Sequence, residues 1–125
     1  MTNELTVGFD ENDRNMGWYR LDGKTPVKCS LMEQARARGE GWRVGLKVVG
    51  DISISTVFLG MDHDYTGHGP PLLFETMTFG GGGLEGMWRC STWEQAEQMH
   101  LDAIKVVRTI LTARDPAQIE DKSDE

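Results

Sequence analysis

Trp42-Arg43-Val44-Gly45-Leu46-Lys47-Val48-Val49 and Ile52-Ser53-Ile54-Ser55-Thr56-Val57-Phe58-Leu59, joined by Gly50-Asp51, decide the fold of this chain. Both runs read as strands, and a two-residue loop that opens with glycine suits a type II′ turn, whose twist matches that of paired strands. The two strands are therefore adjacent and antiparallel.

Toward the C-terminus, the loop from Gly60 to Pro71 leads to a further strand, Leu72-Leu73-Phe74-Glu75-Thr76-Met77-Thr78-Phe79. Four glycines, Gly80 to Gly83, connect it to a short strand around Met87-Trp88-Arg89-Cys90. Ser91-Thr92-Trp93-Glu94 then caps a long helix, along which Trp93, Ala96, Met99, Ala103, Ile104, Val107, Ile110 and Leu111 recur at helical spacing. That apolar stripe needs a sheet face to cover. Toward the N-terminus, Gly17-Trp18-Tyr19-Arg20-Leu21 reads as a strand closed by Asp22-Gly23, and Pro26-Val27-Lys28-Cys29 leads into Ser30-Leu31-Met32-Glu33. This tetrad fits a capping box, so a helix of two or three turns is predicted, ending at Gly39. The architecture is α+β: a mainly antiparallel sheet with a long C-terminal helix and one short helix on one face.

A chain of 125 residues is enough for one hydrophobic core and too short for two. Residues 1–15 and 114–125 are predicted to be acidic, flexible ends around a single domain at 16–113. No stretch has the roughly 20 apolar residues of a membrane span, and the first residues lack the basic and apolar blocks of a signal peptide. A cytoplasmic protein with no membrane contact is expected. Cys29 and Cys90 form no Cys-x-x-Cys pair, which points to free thiols rather than a zinc framework or redox dithiol.

The net charge is −7, but each acidic end contributes −3, leaving the body with ten basic and eleven acidic side chains. No basic track for a nucleic-acid polymer is visible. A small anion needs only two or three well-placed arginines. In the strand from Leu72 to Phe79, Leu72 and Phe74 fall on one face, while Leu73, Met77 and Phe79 share the other with Glu75. Large apolar groups on both faces favour a homo-oligomer that covers the second face.

The chemistry-bearing residues concentrate in Asp62-His63-Asp64 with His68, followed by Glu75. Carboxylates and imidazoles on a loop between strands can ligate a divalent metal, although no established ligand spacing is matched; Asp62 and Asp64 can equally make Asx turns. Glu75 either pairs with Arg89, Arg43 or Arg20 or accepts hydrogen bonds from a ligand. The Gly80–Gly83 run is a flexible connection or a ligand-covering flap, and lacks the Lys-Ser/Thr of a phosphate-binding Walker loop. Tyr19-Arg20, Trp42-Arg43 and Trp88-Arg89 place rings beside cations, an arrangement that serves a core or stacks a base and holds a phosphate. No Gly-x-Ser-x-Gly elbow is present, so a covalent hydrolase is not expected.

Thr56-Val57-Phe58-Leu59-Gly60-Met61-Asp62-His63, Gly69-Pro70-Pro71-Leu72-Leu73-Phe74-Glu75-Thr76-Met77 and Trp88-Arg89-Cys90-Ser91-Thr92-Trp93 resemble a family of small uncharacterised proteins encoded by bacteriophages and prophages. The resemblance spans residues 17–108 and implies a setting, the host cytoplasm, where small phage proteins counter host defence. By analogy with proteins that sequester nucleotide immune signals, it points to a non-enzymatic binder of a small anionic, nucleotide-like ligand of the cyclic nucleotide or cyclic ADP-ribose type. The expected ligand-binding residues are Asp62, His63, His68, Glu75, Arg20, Arg43, Trp88 and Arg89, with no catalytic residue, metal or cofactor assigned. Two alternatives stand beside it: a metal-dependent phosphodiesterase or nuclease using Asp62, His63, Asp64, His68 and Glu75, and a protein-binding inhibitor of a host defence enzyme.

Overall fold

A computed structural model describes residues 17–39, 42–81 and 85–114; the acidic ends, apart from Arg114, and the glycines Gly82 and Gly83 lie outside the described residues. In chain order the elements are β1 (Trp18–Asp22), β2 (Thr25–Cys29), α1 (Leu31–Ala37), β3 (Arg43–Val49), β4 (Ile52–Phe58), β5 (Phe74–Gly80), β6 (Met87–Cys90) and α2 (Trp93–Arg114). β1 and β2 form a two-stranded sheet, and β3-β4-β5-β6 form a four-stranded one, antiparallel throughout. The fold is α+β, with two sheets where one was expected, because Thr25–Cys29 pairs with β1 and is more than a lead-in to α1.

The central hairpin forms where its turn chemistry places it. Gly50 has φ 60°, and among the described residues no non-glycine residue has a positive φ, so Asp51 takes the negative φ that a type II′ turn requires at its second position. Across the turn Val49 pairs with Ile52, and the register runs to Arg43 opposite Val57 with one irregularity between Arg43 and Gly45.

β4 alternates strictly, with Ile52, Ile54, Thr56 and Phe58 buried between partly exposed neighbours. This inner face receives α2. Val49, Ile52 and Ile54 pack against Ala103, Ile104, Val107 and Leu111, the helical stripe read from the sequence. Each valine, leucine or isoleucine among them, fully buried, contributes about 1.5–3 kcal/mol. Nearer the start of α2, Phe58, Leu73, Phe74 and Ala96 form a second cluster with Tyr19, Leu21, Trp42 and Trp93. The small sheet docks there, with the Tyr19 amide donating to the Gly60 carbonyl at 3.0 Å.

Both helix caps are side-chain made. Ser30 accepts from the Glu33 amide and the Glu33 carboxylate accepts from the Ser30 amide, the predicted capping box. At α2 the box is shifted by one residue from Ser91–Glu94. The Thr92 hydroxyl accepts from the Gln95 amide, and Gln95 Oε1 accepts from the amides of Ser91 and Thr92. Glutamine serves as well as glutamate here, since the role needs only an acceptor. The α1 side chain Gln34 is buried and donates to the Gly60 carbonyl at 2.9 Å, tying α1 to the loop after β4. No helix among the described residues is long and apolar enough to cross a membrane.

The opposite face of the four-stranded sheet carries Leu46, Val48, Phe79 and Met87, each about half exposed. Leu73 does not join Glu75 there, as strict alternation suggested. β5 begins only at Phe74, so Leu73 follows loop geometry and is buried in the second cluster.

Candidate functional site

The loop from Asp62 to Pro71 is held by its own carboxylates. Asp62 is buried, and its Oδ1 accepts from the amides of Asp64 at 2.7 Å and Leu72 at 2.9 Å. Asp64 accepts from the Thr66 amide and hydroxyl and from the Gly69 amide. These donors, the Thr66 hydroxyl foremost, hold the Asp64 carboxyl below its ordinary value. Both aspartates are thus occupied in Asx-type turns. His63 is fixed by Nδ1 to the Met61 carbonyl at 2.9 Å, and His68 is exposed. Among the described residues no group of three or more His, Cys, Asp and Glu side chains could hold a metal ion.

Glu75 points to the outer face of the sheet, where its Oε2 accepts from Nε and Nη2 of Arg89, both at 3.0 Å. The register puts these two residues directly opposite, so the pair is the cross-strand ion pair that the sequence offered as one alternative.

The remaining expected site residues sit on three different strands. Arg20 lies on β1 in the small sheet. Arg43 starts β3 and lines a groove of about 450 Å³ with Arg38, Trp42 and Phe58, in which the Arg38 guanidinium lies 5.5 Å from the Trp42 ring centre. That cation covers the ring face a base would need, and the ring also meets Phe58 edge-on. Trp88 turns to the inner side of β6 and lines a shallow groove of about 360 Å³ with Gln95, Met99 and Asp102, to which no cation contributes. Arg43, Glu75 and Arg89 share one row across the sheet, while Arg20 lies on the small sheet and Trp88 on the other side of β6 from Arg89. Trp88 and Arg89, neighbours in sequence, are set on opposite faces of β6 by the alternation of strand side chains.

A groove that sequence reading missed lies between the free edge of β3 and α2. It measures about 530 Å³ and is lined by Gly45, Leu46, Lys47, Gln98, His100, Leu101, Ile104, Lys105 and Arg108. Three cations and one imidazole face an apolar floor, and no carboxylate lines it. Strand and helix periods together explain the convergence. Lys47 shares the inner face of β3 with Val49, while His100, Ile104 and Arg108 follow one another at i, i+4 on α2. His100 stands within the apolar stripe between Ala96 and Ala103, and that break in the pattern is the signal that would have found the groove.

Packing fixes the imidazole. Its Nδ1 lies 2.7 Å from the Thr56 hydroxyl, which in turn bonds the Thr76 hydroxyl on β5. Its ring sits so close to β3 that a Cβ on Gly45 would come within 2.7 Å of Nε2, so only glycine allows this approach. Burial foremost, and the charge of Lys47 second, push the His100 pKa below its ordinary value. The ring is neutral near pH 7, and the direction of its Nδ1–Thr56 hydrogen bond follows from which ring nitrogen carries the proton.

Compared with protein-family models, with curated proteins and with solved structures, the chain matches none.

Proposed function

We propose that this chain is a non-enzymatic binder of a small anionic ligand, a phosphate-bearing molecule of nucleotide size, which it holds without turning over. The observation that carries the reading is the groove beside α2: Lys47, Lys105 and Arg108 converge with His100 in a chain whose net charge is −7. A concavity of about 530 Å³ falls within the roughly 300–1,000 Å³ typical of small-molecule sites. Arginine offers a planar fork to a phosphate, and lysines add point charges. Leu101 and Ile104 provide the apolar floor against which a base or sugar can rest. No carboxylate or hydroxyl side chain lines the groove. The resemblance to small phage-encoded proteins supplies the biological reading: capture of a nucleotide-derived immune signal in the host cytoplasm.

Titration calorimetry against a panel of cyclic and linear nucleotides and cyclic ADP-ribose isomers, followed by recovery of the ligand after heat denaturation, tests this. Expected are one binding isotherm and unchanged ligand. Arg108→Ala and Lys105→Ala each weaken binding by about ten- to a hundredfold, the loss of one charge-assisted contact of about 1.5–3 kcal/mol. Absence of heat from every compound removes the proposal, and recovery of a cleaved product replaces the binder with an enzyme.

A further inference from the structure

The outer face of the four-stranded sheet is an apolar surface that no described element covers: Leu46 is 52% exposed, Val48 47%, Phe79 50% and Met87 52%. Helix α2 and the small sheet both pack on the inner side. The strand register orders the outer side chains into rows. Arg43, Val57, Glu75 and Arg89 form the first, Leu46, Ser55, Met77 and Met87 the second, and Val48, Ser53 and Phe79 the third.

We infer that this face is the contact between two copies of the chain, packed face to face about a two-fold axis that runs along β4. Such an axis lays β3 of one copy across β5 of the other and keeps each row over itself. Arg43 then stands opposite Glu75 of the second copy, Leu46 opposite Met77, and Val48 opposite Phe79. The arrangement is isologous, so every contact occurs twice.

Two features favour a second copy over other occupants, and the area sets the strength of the contact. Charge matches only in this register: an axis between β4 and β5 would set Arg43 against Arg89, and one across the strands would set the charged row against the apolar third row. Side-chain relief matches too, because Ser53 and Ser55 on the axis are small and let the flanking apolar ridges meet. Area is modest: the three strands that overlap, β3, β4 and β5, about 4.8 Å apart with seven residues of about 3.3 Å each, offer roughly 330 Å² per copy before relief is counted. Two such faces together give roughly 660 Å², which makes the contact a weak, reversible one below the roughly 1,200 Å² of standard interfaces.

The test is sedimentation equilibrium of the full chain from about 1 to about 100 µM, a range over which mass action resolves a dimer. The wild type is expected at twice the chain mass at the upper end. Val48→Lys and Phe79→Lys, at half-exposed positions that leave the core untouched, are expected to weaken association about a hundredfold through desolvation of a buried ammonium, with unchanged circular dichroism. Register is read by short bismaleimide linking in a Cys90→Ser background. Ser55→Cys places two thiols across the axis and links. Met87→Cys places them about four strand spacings, roughly 19 Å, apart and does not. A monomer at every concentration overturns the inference and leaves the face to a different protein. So does a dimer that both lysine variants leave intact, or one in which Met87→Cys links as readily as Ser55→Cys.

Discussion

At single residues, the polar groups with the greatest structural weight are Asp62 and His100. Asp62 terminates two backbone donors eight residues apart, so Asp62→Ala strands the amides of Asp64 and Leu72 at a buried position. A loss of at least about 1–3 kcal/mol is expected, while Asp62→Asn, which keeps an oxygen acceptor, stays under about 1 kcal/mol. Urea denaturation of both variants checks this, and equal losses would contradict the acceptor role. His100 faces Lys47 from β3, Thr56 from β4 and Thr76 from β5, with Lys105 and Arg108 beside it on α2. A histidine whose folded pKa is depressed binds fewer protons folded than unfolded. Its penalty on stability is absent well above the unfolded value of about 6.5 and grows as pH falls below it. Denaturation midpoints are expected to fall between pH 7 and pH 5, and His100→Gln is expected to flatten that slope. An unchanged slope in the variant would assign the titration to another group.

Among the elements, the β3–β4 hairpin carries a prediction through its turn. Gly50 sits at φ 60°, where an L side chain costs about 1–2 kcal/mol, so Gly50→Ala lowers stability by that amount. Asp51→Ala, at a negative φ, changes it by less than half as much; a reversed order would refute the II′ assignment. This hairpin and α2 were legible in the sequence because each carries a local code: a two-residue glycine turn, and a stripe whose buried members are Ala96, Ala103, Ile104, Val107 and Leu111. β2 was not legible, since Pro26 and Lys28 dilute its pattern and only pairing with β1 reveals it. The candidate site was legible only in part. Asp62 and Asp64 were readable as turn formers because Asx geometry is local. The basic groove joins Lys47 to His100, Lys105 and Arg108 across a strand edge and a helix, a juxtaposition that no single period contains.

For the whole molecule, charge and apolar surface respond to salt in opposite directions, and this separates the two proposed surfaces. Each chain carries a net charge of −7, so two copies approaching through their sheet faces repel. Raising ionic strength from about 0.1 M to about 1 M shortens the Debye length from about 10 Å to about 3 Å, which removes most of that repulsion and leaves the apolar contact of Leu46, Val48, Met77 and Phe79. Self-association is therefore expected to tighten with sodium chloride, the screened Arg43–Glu75 contacts subtracting little because exposed pairs are worth about 0–1 kcal/mol. Anion binding at Lys47, Lys105 and Arg108 has the reverse dependence and is expected to weaken steadily over the same range. Sedimentation and calorimetry in matched buffers read the two slopes. A dimer that loosens with salt would move its driving force from the apolar rows to ion pairs. Ligand affinity indifferent to salt would place the ligand away from the basic groove.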